Sequence, residues 1–206
     1  MIYSPLSKQL TNGTKKMENK FPVMDDLVGA EEKIGLRFLD NHVHFLMGDI
    51  EEDNIKKAIQ WIAFENLEDK DKILTLYINS YGGDLYQAFG LIDMMRISRY
   101  PVATIGIGSI MSAGFMIFAA GQKGRRAITK NCGIMCHQFS NENVGKYHDI
   151  KSATKENETL NDRMVEILRE ASGLPLRSIK SRLLGPTDAW LTPEELVSYK
   201  LADRII

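Results

Sequence analysis

The chain has 206 residues, 44% of them hydrophobic and 26% charged, which suits one soluble domain able to bury a full core. Lys and Arg number 26 against 27 Asp and Glu, a net charge of −1. That balance gives no basic surface for nucleic acid and no acidic interaction tail.

Residues 1–13 carry no charged stretch followed by an apolar run, so no secretory signal is read there. Residues 1–34 are polar and mixed, with Lys15-Lys16, Asp25-Asp26 and Glu31-Glu32. They are expected to form a flexible N-terminal arm ahead of a single domain over 35–206. From Leu36 the pattern tightens. Val43–Met47 reads as a short apolar strand ended by Gly48, and the acidic run Asp49–Asp53 opens a helix whose apolar positions are Ile55, Ala58, Ile59, Ile62 and Ala63. A second strand is predicted over 73–79, stopped by Ser80-Tyr81-Gly82-Gly83, then a helix over 85–97. A third strand over 101–107 is expected to stop at Gly108, and a helix of small residues begins near Ser112 and runs to about Ala120.

The apolar stretch from Val102 to Ala120 is interrupted by Thr, Gly and Ser. It makes a poor membrane helix and a good buried strand-turn-helix. Short strands follow at Ala127-Ile128 and at Ile134–Cys136. The alternation of strand and helix predicts an α/β fold with parallel strands and right-handed crossovers. A long polar helix from Lys151 to Ser172 has only a narrow apolar stripe, formed by Ala153, Leu160, Met164, Ile167 and Leu168. It is expected to protrude towards another subunit. Thr192-Pro193-Glu194-Glu195 is the start signal of a last helix. Cys132 and Cys136 are the two cysteines. They cannot build a disulfide scaffold and complete no metal cluster, so they read as free, mostly buried thiols in a reducing compartment.

Three features could carry chemistry. Gly82-Gly83 after a strand lets the backbone approach a ligand and turn its N–H groups outward, although a tight turn is the plainer reading. The pattern is not a phosphate-cradling motif. In the stretch 108–114, Ser109 and Ser112 both lie at a strand-to-helix corner, where helix N–H groups can stabilise an oxyanion. Either could be only a cap, and spacing alone does not choose between them. His137 ends an apolar strand. A structural histidine is the commoner outcome there, since a base needs a partner to fix its tautomer. Asp188, Asp149 and Asp162 are the candidate partners.

Taken together, five blocks resemble one family, the Clp protease proteolytic subunit: LRFLxxxxHFLMG (36–48), LYINSYGG (76–83), SAGFMIFAAGxKGxR (112–126), IMCHQ (134–138) and TDAWLTPEE (187–195). The likeness runs from about Leu36 to Ile205. It implies the ClpP/crotonase-like fold of repeated strand-helix units with a protruding handle helix. It also implies a cytoplasmic serine endopeptidase that hydrolyses unfolded polypeptides inside an oligomeric chamber.

By the same resemblance, Ser112 would be the nucleophile, His137 the base and Asp188 the acid, with the backbone N–H groups of Gly83 and Ala113 forming the oxyanion hole. Tyr77, Ile105 and Ile107 would retain part of an apolar pocket for a Clp-type AAA+ unfoldase. Self-assembly would give heptameric rings stacked as a tetradecamer, with the helix from Lys151 meeting the opposite ring. No metal, nucleotide cofactor, nucleic acid or membrane is expected for this chain, and ATP would be used by the separate unfoldase. Several positions depart from the family pattern. Tyr81 stands for the usual Pro, Ala113 for Met, and Pro186-Thr187 for the Asp-Arg pair used between rings. Ala127 and Thr129 stand for larger apolar residues of the docking pocket. Two other readings are carried: a catalytically silent subunit that co-assembles with an active paralogue, and acyl-CoA chemistry on the same fold.

Overall fold

The computed structural model describes residues 29–68 and 71–206. Two units are distinguished, 1–36 and 37–206. The expected arm therefore lies mostly outside the described residues. Its last positions, from Ala30, belong to the helix α1 (Ala30–Asp40).

The larger unit is built on a sheet. The strands are β1 (Val43–Met47), β2 (Leu74–Ser80), β3 (Val102–Met111), β4 (Arg126–Ile128), β5 (Gly133–Cys136), β6 (Ala189–Leu191) and β7 (Arg204–Ile205). The order is β1-β2-β3-β4-β7, all parallel, and β5 branches from β3 to pair β6. The crossover helices are α2 (Glu52–Glu65), α3 (Leu85–Ile97) and α4 (Ser112–Ala119), followed by α5 (Tyr147–Ser172), α6 (Leu176–Arg182) and α7 (Pro193–Ser198). This is the mixed α/β architecture with a mostly parallel sheet that the alternation predicts.

Side chains alternate along β2. Leu74, Leu76, Ile78 and Ser80 are buried, while Thr75, Tyr77 and Asn79 are half-buried. The buried face is covered by helices, with α2 packed on β1 and α4 on β2 and β3. Phe115, Phe118, Leu91 and Ile92 are fully buried there. Burying such side chains contributes roughly 1.5–3 kcal/mol each. On α2 the buried stripe is Ile55, Ala58, Trp61, Ile62 and Glu65. Ala63, expected in that stripe, is exposed, because the helical rotation brings Trp61 onto the core side instead.

Local signals set several helix ends. The Asp84 side chain accepts a hydrogen bond from Gln87 N at the start of α3. Thr192 and Glu195 exchange both bonds of a capping box around Pro193. Gly173, at φ 72, closes α5 in the left-handed conformation. That helix begins at Tyr147, one turn ahead of the predicted Lys151, because Asp149 accepts from the backbone N–H of Lys146. Its buried residues begin only at Leu160. The first half stands clear of the core as a protruding handle, which accounts for its polarity.

Strand β3 does not stop at Gly108. It pairs with β2 up to Gly106, skips, and resumes with Ile110 opposite Ser80. Gly108 sits in this bulge at φ 61, a conformation that glycine adopts without steric cost. The bulge lets one strand serve two neighbours, since Thr104–Gly106 pairs with β4 and Ser109–Met111 with β5. The antiparallel β6 was not among the predicted elements. Its three residues are too short for a periodic pattern to show.

Candidate active site

The site forms where β2 and β3 end. After β2, Gly82 and Gly83 have φ values of 111 and 146. A Cβ on Gly82 would lie 2.6 Å from Ser112 Cβ, and one on Gly83 would lie 2.4 Å from the Ile50 carbonyl oxygen. The glycine pair is thus held between the end of β1 and the start of α4 at a spacing no side chain permits. Ser80 Oγ accepts from Gly82 N. Ile50 N donates to Gly82 O, and Asp84 N donates to Ile50 O. In such a parallel bridge the intervening Gly83 N–H points away from Ile50. Neither that N–H nor that of Ala113 takes an acceptor among the described residues.

Ser112 is the first residue of α4 and has φ 51. A non-glycine residue held in this region is strained by about 1–3 kcal/mol. A sharp strand-to-helix turn of this kind is how a serine hydroxyl is pushed out of a helix start and into the open. The competing Ser109 is buried in the bulge. Its hydroxyl and its backbone N–H both donate to Asn79 Oδ1, each at 3.0 Å. Neither serine caps α4, whose N-cap position is Met111.

His137 follows β5 and its Nε2 lies 2.7 Å from Ser112 Oγ. Parallel pairing brings β5 beside the last turn of β3, which carries His137 to the serine. Antiparallel pairing with β6 sets the third member. Ile134 faces Leu191, Met135 faces Trp190 and Cys136 faces Ala189. One rung further along this ladder stand His137 and Asp188. Their Nδ1 and Oδ1 are 3.7 Å apart, an ion-pair distance rather than a hydrogen bond. The Asp188 side chain is 54% exposed and that of His137 24%. The alternative acids are placed elsewhere, with Asp149 capping α5 and Asp162 exposed along the same helix.

The neighbouring thiols are inert by comparison. Burial pushes Cys136 up to about 12 and Cys132 up to about 11, so neither forms a thiolate near neutral pH. Among the described residues, no group of three or more His, Cys, Asp and Glu side chains could hold a metal ion. Nor is any helix there long and apolar enough to cross a membrane.

A groove of about 290 Å³ opens beside Ser112 and His137, walled by Gly83, Tyr86, Phe139, Asn141 and Leu160. The sequence reading placed none of the last four at the site, and named Leu160 only in the apolar stripe of the long helix. Tyr86 had the best signal, as an aromatic residue in the first turn after the glycine pair. Tyr77, Ile105 and Ile107 lie on the half-buried sheet face, where Tyr77 stacks on Phe45 at 4.9 Å and is in register with Ile105.

The arrangement comprises a strained serine, an imidazole within hydrogen-bond distance, a carboxylate on the imidazole's far side and two unengaged amides. This set can support acyl transfer to an oxygen nucleophile. In comparison with known families, the model described as Clp protease matches residues 29–206.

Proposed function

The chain belongs to the Clp protease family, and within it we propose that this protein is a serine endopeptidase whose nucleophile is Ser112. The observation that carries the reading is the 2.7 Å approach of His137 Nε2 to the hydroxyl of a serine held at positive φ. A histidine that was merely structural would have no need of a strained partner.

In this mechanism His137 Nε2 takes the Ser112 proton as Oγ bonds to the scissile carbonyl carbon. The carbonyl oxygen becomes an oxyanion and accepts from the N–H groups of Gly83 and Ala113. One such donor is worth ~3 kcal/mol in studied enzymes. The tetrahedral intermediate collapses as His137 protonates the leaving amine, which breaks the C–N bond. Water then gives a proton to His137 and attacks the acyl ester, releasing the carboxylate product and restoring Ser112. Asp188 orients the imidazole and stabilises its charged form.

Substrates are unfolded polypeptides, fed by a separate Clp-type AAA+ unfoldase that spends the ATP. Tyr77, Ile105 and Ile107 form the apolar seat for that partner, and the chain works as seven-membered rings stacked into a chamber. The protruding half of α5 supports the assembly reading, because a charged helix with no buried residue before Leu160 needs a partner to gain anything by standing out.

A second reading is favoured by one observation. Asp188 is half-exposed and 3.7 Å from His137, as expected of a silent subunit that needs an active paralogue to align it. One experiment separates the two. Fluorophosphonate labels wild-type protein on its own if the chain is an active peptidase, and Ser112→Ala abolishes both labelling and hydrolysis of a small fluorogenic peptide. Labelling that survives Ser112→Ala eliminates Ser112 as nucleophile. Labelling that arises only after mixing with a paralogue supports the silent subunit.

A further inference from the structure

Two walls of the groove beside Ser112 are tied to adjacent residues of one helix. Tyr86, in the first turn of α3, donates its hydroxyl to Glu156 Oε1. Asn141, in the segment after His137, donates its amide to Asn157 Oδ1 at 3.1 Å. Glu156 and Asn157 are consecutive on α5, and Leu160, one turn later, is buried and closes the groove between those walls. Tyr86 and Asn141 come from different segments. Tyr86 follows the Gly82-Gly83 turn, and Asn141 follows the histidine. No backbone hydrogen bond among the described residues joins these two segments directly; beyond the sheet that carries both, α5 is bonded to each of them.

The bond to Glu156 also leaves a mark on Tyr86. Its phenol is held above the ordinary value, first by that hydrogen bond. A phenol keeps its proton in the neutral range even at its ordinary value, so Tyr86 remains a donor there.

Resting on the peptidase reading above, we propose that Tyr86 with Glu156, and Asn141 with Asn157, are the cross-ties that set the width of this groove. They thereby determine the largest substrate side chain admitted next to the scissile bond. The four are positioning and specificity residues. None of them exchanges a proton with the substrate. A cleft of about 290 Å³ is at the small end of ligand-sized sites and suits one side chain of moderate size. Freeing a wall allows larger ones. The chemistry predicts which substitutions matter. Tyr86→Phe keeps the ring and loses the tie. Glu156→Ala loses the acceptor. Glu156→Gln keeps a carbonyl oxygen that still accepts from the phenol.

The test uses full-length protein and two fluorogenic peptides that differ only in the residue before the cleaved bond, Leu in one and Trp in the other. The readout is the ratio of their kcat/KM values, with the fluorophosphonate labelling rate of Ser112 measured alongside. Loss of one net hydrogen bond shifts such a ratio by about threefold to tenfold. Tyr86→Phe, Glu156→Ala and Asn157→Ala should each move it towards Trp by that factor, mainly through KM, with labelling retained. Glu156→Gln should keep the wild-type ratio. A ratio unmoved in Tyr86→Phe and Glu156→Ala, with labelling intact, overturns the cross-tie inference and leaves the peptidase reading standing. Equal loss of both peptides together with labelling also overturns it, because the ties would then support the site as a whole. Wild-type protein that neither labels nor cleaves either peptide overturns the peptidase reading itself.

Discussion

Replacing Gly82 by Ala isolates the close approach on which the site depends. The added Cβ would stand 2.6 Å from Ser112 Cβ, 3.1 Å from Met111 O and 3.2 Å from Ala113 N. Carbon atoms in contact settle at ~3.5–4.0 Å, so Ser112 or the glycine turn must retreat by about 1 Å. A retreat of that size takes Oγ out of the 2.7 Å approach to His137 Nε2 and lowers the reaction rate by ~10²-fold. The backbone contributes separately, because φ 111 costs a side-chain-bearing residue ~1–3 kcal/mol. For a chain of this size that lowers the melting temperature by about 2–12 °C. The assay is the second-order rate constant for fluorophosphonate labelling, with thermal melting as the measure of folding. Gly124→Ala is the control. It also has a positive φ, 82, but a Cβ there meets no atom within 4 Å, so it should lose stability and keep its labelling rate. Wild-type labelling in Gly82→Ala, or an equal loss in Gly124→Ala, would refute the steric argument.

Arg126 should behave as a structural hub. It is 2% exposed, pairs with Asp203 through Nε and Nη2 at 3.0 and 2.9 Å, and donates to the carbonyls of Ala119, Ala171 and Lys200. Arg126→Met strands these acceptors and should cost ~3–5 kcal/mol, read by urea unfolding; a cost below ~1 kcal/mol would sink this account. Burial tends to raise the Asp203 carboxyl, but the hydrogen bonds and charge of Arg126 outweigh it and hold the group below its ordinary 3.8. Its folded value being depressed, Asp203 contributes stability that is fully present above pH 3.8 and lost as pH falls through the lower folded value. Asp203→Asn should therefore flatten the acid limb of the stability profile. The two thiols supply a prediction of the opposite kind. With values near 11 and 12 imposed by burial, Cys132 and Cys136 should resist iodoacetamide at pH 8 in the folded protein and react fully in denaturant. Rapid native labelling of either thiol would refute the burial argument, and at Cys136 it would mean that β5 opens.

The parts of this molecule that could be read from sequence are those whose cause is local. The turn residues Ser80-Tyr81-Gly82-Gly83 mark the end of β2, and capping chemistry gives the start of α7. A glycine pair between strand and helix marks the place of the site. What the residues alone left open was decided by contacts between segments far apart in the chain. Ser109 and Ser112 share one corner and one composition. They are separated by Asn79, which takes both donors of Ser109, and by the bulge at Gly108, which keeps β3 running to Met111. Glycine at position 108 read as a stop because a strand-breaking residue and a bulge-forming one are the same residue; only the resumed pairing with β2 and the new pairing with β5 tell them apart.

The placement of Asp149, Asp162 and Asp188 has the same character. Asp188 is brought beside His137 by the antiparallel rungs of a three-residue strand, too short to carry a period of its own. Family resemblance named Ser112 and Asp188 without those contacts, but it could not supply the reason for either. Nor could it supply the walls of the groove. Tyr86 and Glu156 are exposed residues on the polar sides of two helices, where sequence reading expects only solvent. Their meeting depends on how far α5 stands off the core, and that is set by where its buried residues begin, at Leu160. On the cross-tie proposal, a single boundary in the burial of α5 thus governs both the reach of the handle and the width of the groove. That boundary is therefore the place where a change remote from Ser112 would alter which peptides the site accepts.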